Sequence, residues 1–346
     1  MNFIRSFIRK RQFGTGALKD PQDLRDYTYR GAPMGGPTVD WNTGYDVEKV
    51  LDIKINIKHQ GPSSSCVGQG WSYYVAVLDA VETGYYSGDS AKAIYSQIFL
   101  PSGGAYIRDG GKILVDWGAV DETMVRSSES GGPPSEAFMR RLDWKNTKMD
   151  DLAKILQSKE YRVVESADNM DMFASAILNN HGIVGGVNGE NNGSWHTNEP
   201  KPPIGNGDWA HCIYFGKFGT DELGRYIATP NSWGTRNKKD ALHPDDWQKL
   251  RSDYFKNKFM FNPWTLTDRP NVVMSSKTQE IMDKNEKKII IEGEGPGRKG
   301  VVVNGRLLEI TKDRAAEASL YVLNNNGFGV RVNTVMWNEM AKGPNF

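Results

Sequence analysis

The chain has 346 residues, longer than one average domain and enough for two, or for one large domain with appendages. Its 38% hydrophobic, 25% charged and 11% aromatic residues supply enough apolar surface to offset chain entropy, which excludes a largely disordered protein. A formal charge of +1, a mean hydropathy of −0.57 and two cysteines speak against a nucleic acid or anionic membrane as main partner, and against a disulfide framework.

Residues 1–37 are rich in Gly, Pro and charge and read as an arm. Its start, "MNFIRSFIRKRQFGTG", mixes apolar and basic residues at helical spacing but lacks the continuous apolar stretch of a secretory signal. The arm is expected to pack on its own protein or fray rather than insert stably into a membrane. From 38 to 270 strand-like and helical patterns alternate. In "HQGPSSSCVGQGWSYY", residues 59–74, Cys66 follows three serines, read as small turn residues that make room for substrate. Val67, Trp71, Val75 and Leu78 then recur on one helical face, which predicts a helix from Cys66 that stops at Gly84. Gly68 and Gly70 weaken it, at up to about 1 kcal/mol each.

"DGGKILVDWGAVDETM" predicts a second helix and turn, and "DMFASAILNNHGIVGGVNG" a helix leading into a strand. Residues 188–209 form a long polar loop, of a length usually functional or mobile. "AHCIYFGKFGTDELGRYIATPNSWG" predicts a β-hairpin. With its turn centred near Asp221, residues whose numbers sum to about 442 face each other, which sets His211 opposite Asn231; a one-residue slip breaks this pairing. Pro230 lacks an N–H, so that strand is bulged or at an edge there. Beyond 270, three short strands with turns at "GPG" and "NG", then a capped helix in "TKDRAAEASLYVLNNNG", predict a small α+β module over 271–346. "GPGRKG" fits a dinucleotide-binding glycine pattern, but it runs into a strand and reads as a hairpin turn.

A thiol at a helix start is favoured as thiolate by the macrodipole, and an imidazole on a strand can hold its proton. Cys66 and His211 are the candidates. Asn231 can fix the imidazole tautomer, and the Gln60 amide can join the Cys66 backbone N–H at an oxyanion. Cys212 should point to the opposite strand face and fill the core. His59 reads as a surface or turn residue. His181, His196 and His243 show no metal spacing with one another or the cysteines, so neither metal nor cofactor is expected. Trp195, Trp209 and His196 either wall a substrate site or simply pack.

"QGPSSSCVG", then "AHCIYFG", then "NSWGT", in that order, resemble the papain family of cysteine peptidases. The resemblance spans about residues 38–265. It implies an α+β fold of two lobes, one helical and one antiparallel β, with a cleft between them and the C-terminal module appended. It implies Cys66 as nucleophile, His211 as acid/base, Asn231 as orienter and Gln60 in the oxyanion hole, hydrolysing peptide bonds through a thioester. Trp233 matches the tryptophan that shields the Asn–His bond and joins the candidates on the substrate side. "SGGAYIRDGGKILVDWG" resembles the stretch whose glycines bind substrate backbone, here Gly103 and Gly104. "IRD" and "LKDPQDLRDYTY" resemble bacterial, archaeal and viral members more than lysosomal ones.

There are departures from the family. Ser63 stands where many secreted relatives have a disulfide cysteine, Val67 replaces a tryptophan, and Pro230 precedes Asn231. A pro-region of the usual inhibitory length is not recognised, so the arm, the long loop or the module would have to restrain the enzyme. The expected partner is a peptide or protein substrate, in a cytoplasmic or virion-associated setting. Two other readings are a binding component of a larger assembly such as a virion, joined through the arm or the module, and a cell-wall peptide hydrolase.

Overall fold

A computed structural model describes residues 15–23, 26, 28–29, 39–84, 86–129, 132–234 and 247–267, and four later strands. The chain divides into two compact units, residues 1–77 with 87–270, and residues 78–86 with 271–346.

The first unit opens with β1 (Ala17–Leu18), β2 (Thr28–Tyr29), β3 (Tyr45–Asp46) and α1 (Val47–Leu51). A helical lobe follows: α2 (Cys66–Thr83), whose residues from 78 on belong to the second unit, α3 (Ala91–Ile98), β4 (Ala105–Tyr106), α4 (Ile107–Asp116), α5 (Glu136–Arg140) and α6 (Thr147–Ala153). The β lobe contains β5 (Glu160–Val164), α7 (Met170–Asn180), β6 (Ile183–Gly189), β7 (Trp209–Phe215), β8 (Lys217–Asp221) and β9 (Gly224–Thr229). It closes with β10 (Gln248–Arg251), α8 (Ser252–Lys256) and β11 (Met260–Thr267).

Helix α2 begins at Cys66 as the apolar spacing predicts, but it is buried on every side from Cys66 to Val77 rather than along one face. Its glycines explain how. A Cβ on Gly68 would lie 2.6 Å from the Ala91 carbonyl oxygen and 2.7 Å from Tyr95 Cβ. A Cβ on Gly70 would lie 3.2 Å from Val184 and 3.3 Å from Cys212 Sγ. The two positions therefore let α3 and the strands β6 and β7 close on α2, and packing offsets the lost helix propensity. On a third side Gly110 and Gly111 of α4 receive the Trp71 ring, whose Nε1–H donates to the Ile107 carbonyl at 2.8 Å. Helix α3, capped by Ser90 Oγ accepting the Ala93 N–H, is not anticipated by the apolar pattern.

The β lobe holds a five-stranded sheet in order β2-β5-β11-β6-β7 and a four-stranded sheet in order β10-β9-β8-β3. The predicted hairpin is corrected here. β8 and β9 pair with Lys217 opposite Ala228 and Asp221 opposite Gly224, so partners sum to 445 rather than the expected value. The run that reads as one strand is two. It breaks at Gly216, and β7 pairs instead with β6, placing His211 opposite Val187. An odd slip of this kind reverses which face each side chain takes. Pro230 falls just past the last residue of β9, so its missing N–H costs the ladder nothing.

In the second unit β12 (Ile289–Glu292), β13 (Lys299–Val303), β14 (Arg306–Ile310) and β15 (Gly329–Arg331) form a sheet in order β14-β13-β12-β15. The first three are the predicted strands, and β12 and β13 run antiparallel on either side of "GPG". The helix expected over 311–327 lies outside the described residues. Among the described residues, no helix is long and apolar enough to cross a membrane.

Candidate active site

Cys66 is the first residue of α2 and fully buried. Burial pushes its thiol up to about 12, although the backbone N–H groups of Cys212, Gly16, Val67 and Cys66 itself act in the opposite direction. The expectation of a lowered thiol pKa is thus overturned in this form. The helix start pulls as anticipated, but loss of water outweighs it.

The N–H contributed by Cys212 sets the sulfur beside the His211–Cys212 peptide of β7. Cys212 Sγ packs against α2 at Gly70, in the core as expected. The His211 side chain takes the other face. Its Nε2 is 2.9 Å from Asn231 Oδ1, and its Nδ1 is buried with no hydrogen-bond partner among the described residues. Burial lowers the imidazole pKa to about 4, against the opposing effect of the Asn231 bond. Trp233 stacks on the ring at 4.7 Å between centroids and 24° between planes. Trp195 and Trp209 meet Trp233 edge-on, so buried Trp195 packs behind the imidazole while His196 is exposed.

Asn231 sits beyond β9 at φ 59°, a left-handed conformation that asparagine tolerates better than most residues. Its Oδ1 also accepts the Ser232 N–H at 2.6 Å, and its Nδ2 donates to Gln248 Oε1 at 2.6 Å. Its carbonyl accepts the Tyr73 hydroxyl of α2 at 2.9 Å, and that hydroxyl accepts the Lys58 N–H at 2.5 Å. Gln60 is buried, donates from Nε2 to the Ser63 carbonyl at 3.0 Å, and accepts Ser232 Oγ–H at 2.5 Å. Its backbone N–H reaches the Ser232 carbonyl at 2.8 Å. Cys66, Gln60, His211, Asn231 and Trp233 therefore share one locality. Tyr73 and Gln248 escaped the sequence reading: a tyrosine on a predicted helix and a glutamine in "DWQKLR" carry no local signal of a role.

Gly103 and Gly104 have φ of 94° and 76°; Gly104 faces Gly16 of the arm, whereas Gly103 faces Ser64 and Arg140. The Ala105 N–H donates to the Gly16 carbonyl at 3.0 Å, and β1 lies parallel to β4 with Ala17 opposite Ala105. A Cβ on Gly16 would lie 2.5 Å from the Ser64 carbonyl oxygen and 2.9 Å from Gly104 Cα. Only glycine passes there. Further along, Asp20 Oδ1 accepts the Arg108 N–H at 3.0 Å and Oδ2 accepts Trp264 Nε1–H at 2.7 Å. Burial raises the Asp20 carboxyl to about 6. Residues 15–20 thus run over the sulfur and are fastened beyond it. Among the described residues no group of three or more His, Cys, Asp or Glu could hold a metal ion.

No family model matches the sequence, and no curated protein matches it. Solved structures do match the fold. Xylellain, a cysteine protease from Xylella fastidiosa, superposes with a TM-score of 0.58 at 20% identity over 75% of this chain and 98% of its own. Digestive procathepsin L2 from Tenebrio molitor larval midgut gives 0.56 at 13% identity, over 74% of this chain and 78% of its own. ProCathepsin B S9 from Trypanosoma congolense gives 0.54 at 11% identity, over 74% of this chain and 87% of its own. The chain has the papain-like fold of cysteine proteases.

Proposed function

We propose that this chain is a cysteine peptidase whose N-terminal arm holds it latent. The observation that carries the reading is the Asn231–His211 bond, which commits Nε2 and leaves Nδ1 as the only imidazole nitrogen able to take a proton. In the reaction, His211 Nδ1 removes the Cys66 proton and the sulfur attacks the substrate carbonyl carbon. The C–S bond forms, and the oxyanion is met by the Cys66 N–H and the second N–H of Gln60 Nε2. Collapse breaks the C–N bond as the imidazolium returns its proton to the leaving amine. Water, deprotonated by His211, then attacks the thioester, releasing the acid and restoring the thiol.

With the arm seated, the thiol at about 12 and the imidazole at about 4 are both neutral at pH 7. Latency then has a physical basis in desolvation. Displacing the arm would bring water to both groups and favour the ion pair. Several of the similar structures carry proform or procathepsin in their names.

The test is iodoacetamide labelling of Cys66 at pH 7. Labelling should be slow in the native chain, fast in Gly16→Leu, whose side chain cannot pass Ser64, and slow again in Gly16→Leu with His211→Ala. The reading fails if labelling in Gly16→Leu is indifferent to His211, or if that variant hydrolyses no member of a broad peptide library.

A further inference from the structure

The loop between β6 and β7 is held by β10. Gln248 Nε2 donates to the carbonyls of Trp195 and Thr197 at 3.0 and 2.8 Å, and the Lys249 N–H donates to the Asn198 carbonyl at 2.8 Å. Arg251 pairs with both oxygens of Glu199, at 2.7 Å from Nε and 2.5 Å from Nη2. That guanidinium is anchored independently, by Asp221 at 2.8 Å and the Gly224 carbonyl at 2.9 Å. Three of the four β10 residues therefore grip residues 195–199.

One of these grips continues into the site. Backbone carbonyls only accept, so the Gln248 amide must turn its nitrogen to the loop and its oxygen to Asn231. Asn231 must then present Nδ2 to Gln248 and Oδ1 to His211, an orientation the Ser232 N–H supports. Since Oδ1 only accepts, His211 must carry its proton on Nε2 and leave Nδ1 bare. Each polarity follows from the one before, starting at two carbonyls of the loop. Gln248 and His211 are both buried, at 1% and 0% exposure, so water does not replace a lost partner.

We propose that Gln248 is a positioning residue: the seating of residues 195–199 on β10 sets the Asn231 amide and, through it, the tautomer of His211. A lifted loop removes the acceptors that hold the Gln248 nitrogen. If the glutamine amide turns, nitrogen faces nitrogen at Asn231, whose amide is driven to turn as well. Its Nδ2–H then faces His211 Nε2, which must accept, and the ring proton moves to Nδ1, where it blocks uptake of the thiol proton. The consequence for turnover rests on the peptidase reading; the coupling itself does not.

The experiment is long-range proton–nitrogen correlation of the His211 ring at pH 7 in the full chain labelled with ¹⁵N-histidine. The native protein should show the Nε2–H tautomer. Gln248→Ala should raise the Nδ1–H share about tenfold, the equivalent of one buried hydrogen bond. Glu199→Ala, which loosens the loop while leaving Gln248 and Asn231 intact, should shift the ring in the same direction by a few fold. Unchanged His211 signals in a folded Gln248→Ala protein would overturn the proposal. So would faster amide exchange at 195–199 in Glu199→Ala with the His211 tautomer unmoved, and this second variant decides alone if the first does not fold. A native chain that hydrolyses no peptide once its arm is displaced would reject the peptidase reading and leave this spectroscopic result standing.

Discussion

The two sides of the cleft are finished differently. Around Asn231 the amide and carbonyl are all engaged, by His211, Ser232, Gln248 and Tyr73. Around Cys66 the sulfur sits under the arm backbone, and Nδ1 of His211 has no hydrogen-bond partner among the described residues, the Cys66 sulfur included. On the proposed reading, the orienting side is complete before any substrate arrives, and the reacting side becomes complete only when the arm leaves. Preorganised dipoles cost no rearrangement during reaction, whereas a thiolate and an imidazolium need an environment that supports charge.

Four perturbations would break or sharpen this contrast. The largest acts on the reacting side. In Gly16→Leu, return of the thiol from about 12 toward its ordinary range should raise Cys66 alkylation at pH 7 on the order of a thousandfold. Alkylation timed by intact mass reads this directly.

Next is Asp20. Its carboxyl titrates at about 6 with the arm seated, against 3.8 when unperturbed, so the seated arm binds a proton more tightly. The resulting stabilisation, about 3 kcal/mol for two pKa units, is fully present below about pH 4 and is lost as pH rises through about 6. Acid should tighten the arm. Hydrogen exchange of residues 15–20 should speed up between pH 4 and 7 beyond its intrinsic rise, and Asp20→Asn should abolish the excess.

Gly68→Ala tests the packing beneath the sulfur. The added methyl meets the Ala91 carbonyl at 2.6 Å, so the variant should lose about 1–3 kcal/mol although alanine is the better helix former. Urea denaturation measures the loss. Smallest is Tyr73→Phe, which leaves the Lys58 N–H and the Asn231 carbonyl without the hydroxyl between them. About 1–2 kcal/mol of stability should go, with thermal unfolding as the check.

Much of the site was legible along the chain, for local reasons. The recurrence of Val67, Trp71 and Val75 is a helix signal carried by neighbours within four residues, and it located the start of α2 at Cys66. The switch from "DMFASAILNN" to "GIVGGVNG" likewise marked α7 and β6. The hairpin around "TDELG" exists as β8 and β9, but its expected register and extent failed because nothing local distinguishes Gly216 in the middle of an apolar run from a glycine within a strand. His211 and Asn231 still meet, but by side chains from elements in different pairings rather than across one ladder.

What the amino-acid order determined by itself was which residue types stand at the helix start, on the strand and in the asparagine turn, because propensity and periodicity act over a few residues. Tertiary structure decided their state. Protonation answers to water excluded by segments distant along the chain, so the arm over Cys66 and the carbonyls behind Gln248 set charge and tautomer where no short-range pattern could.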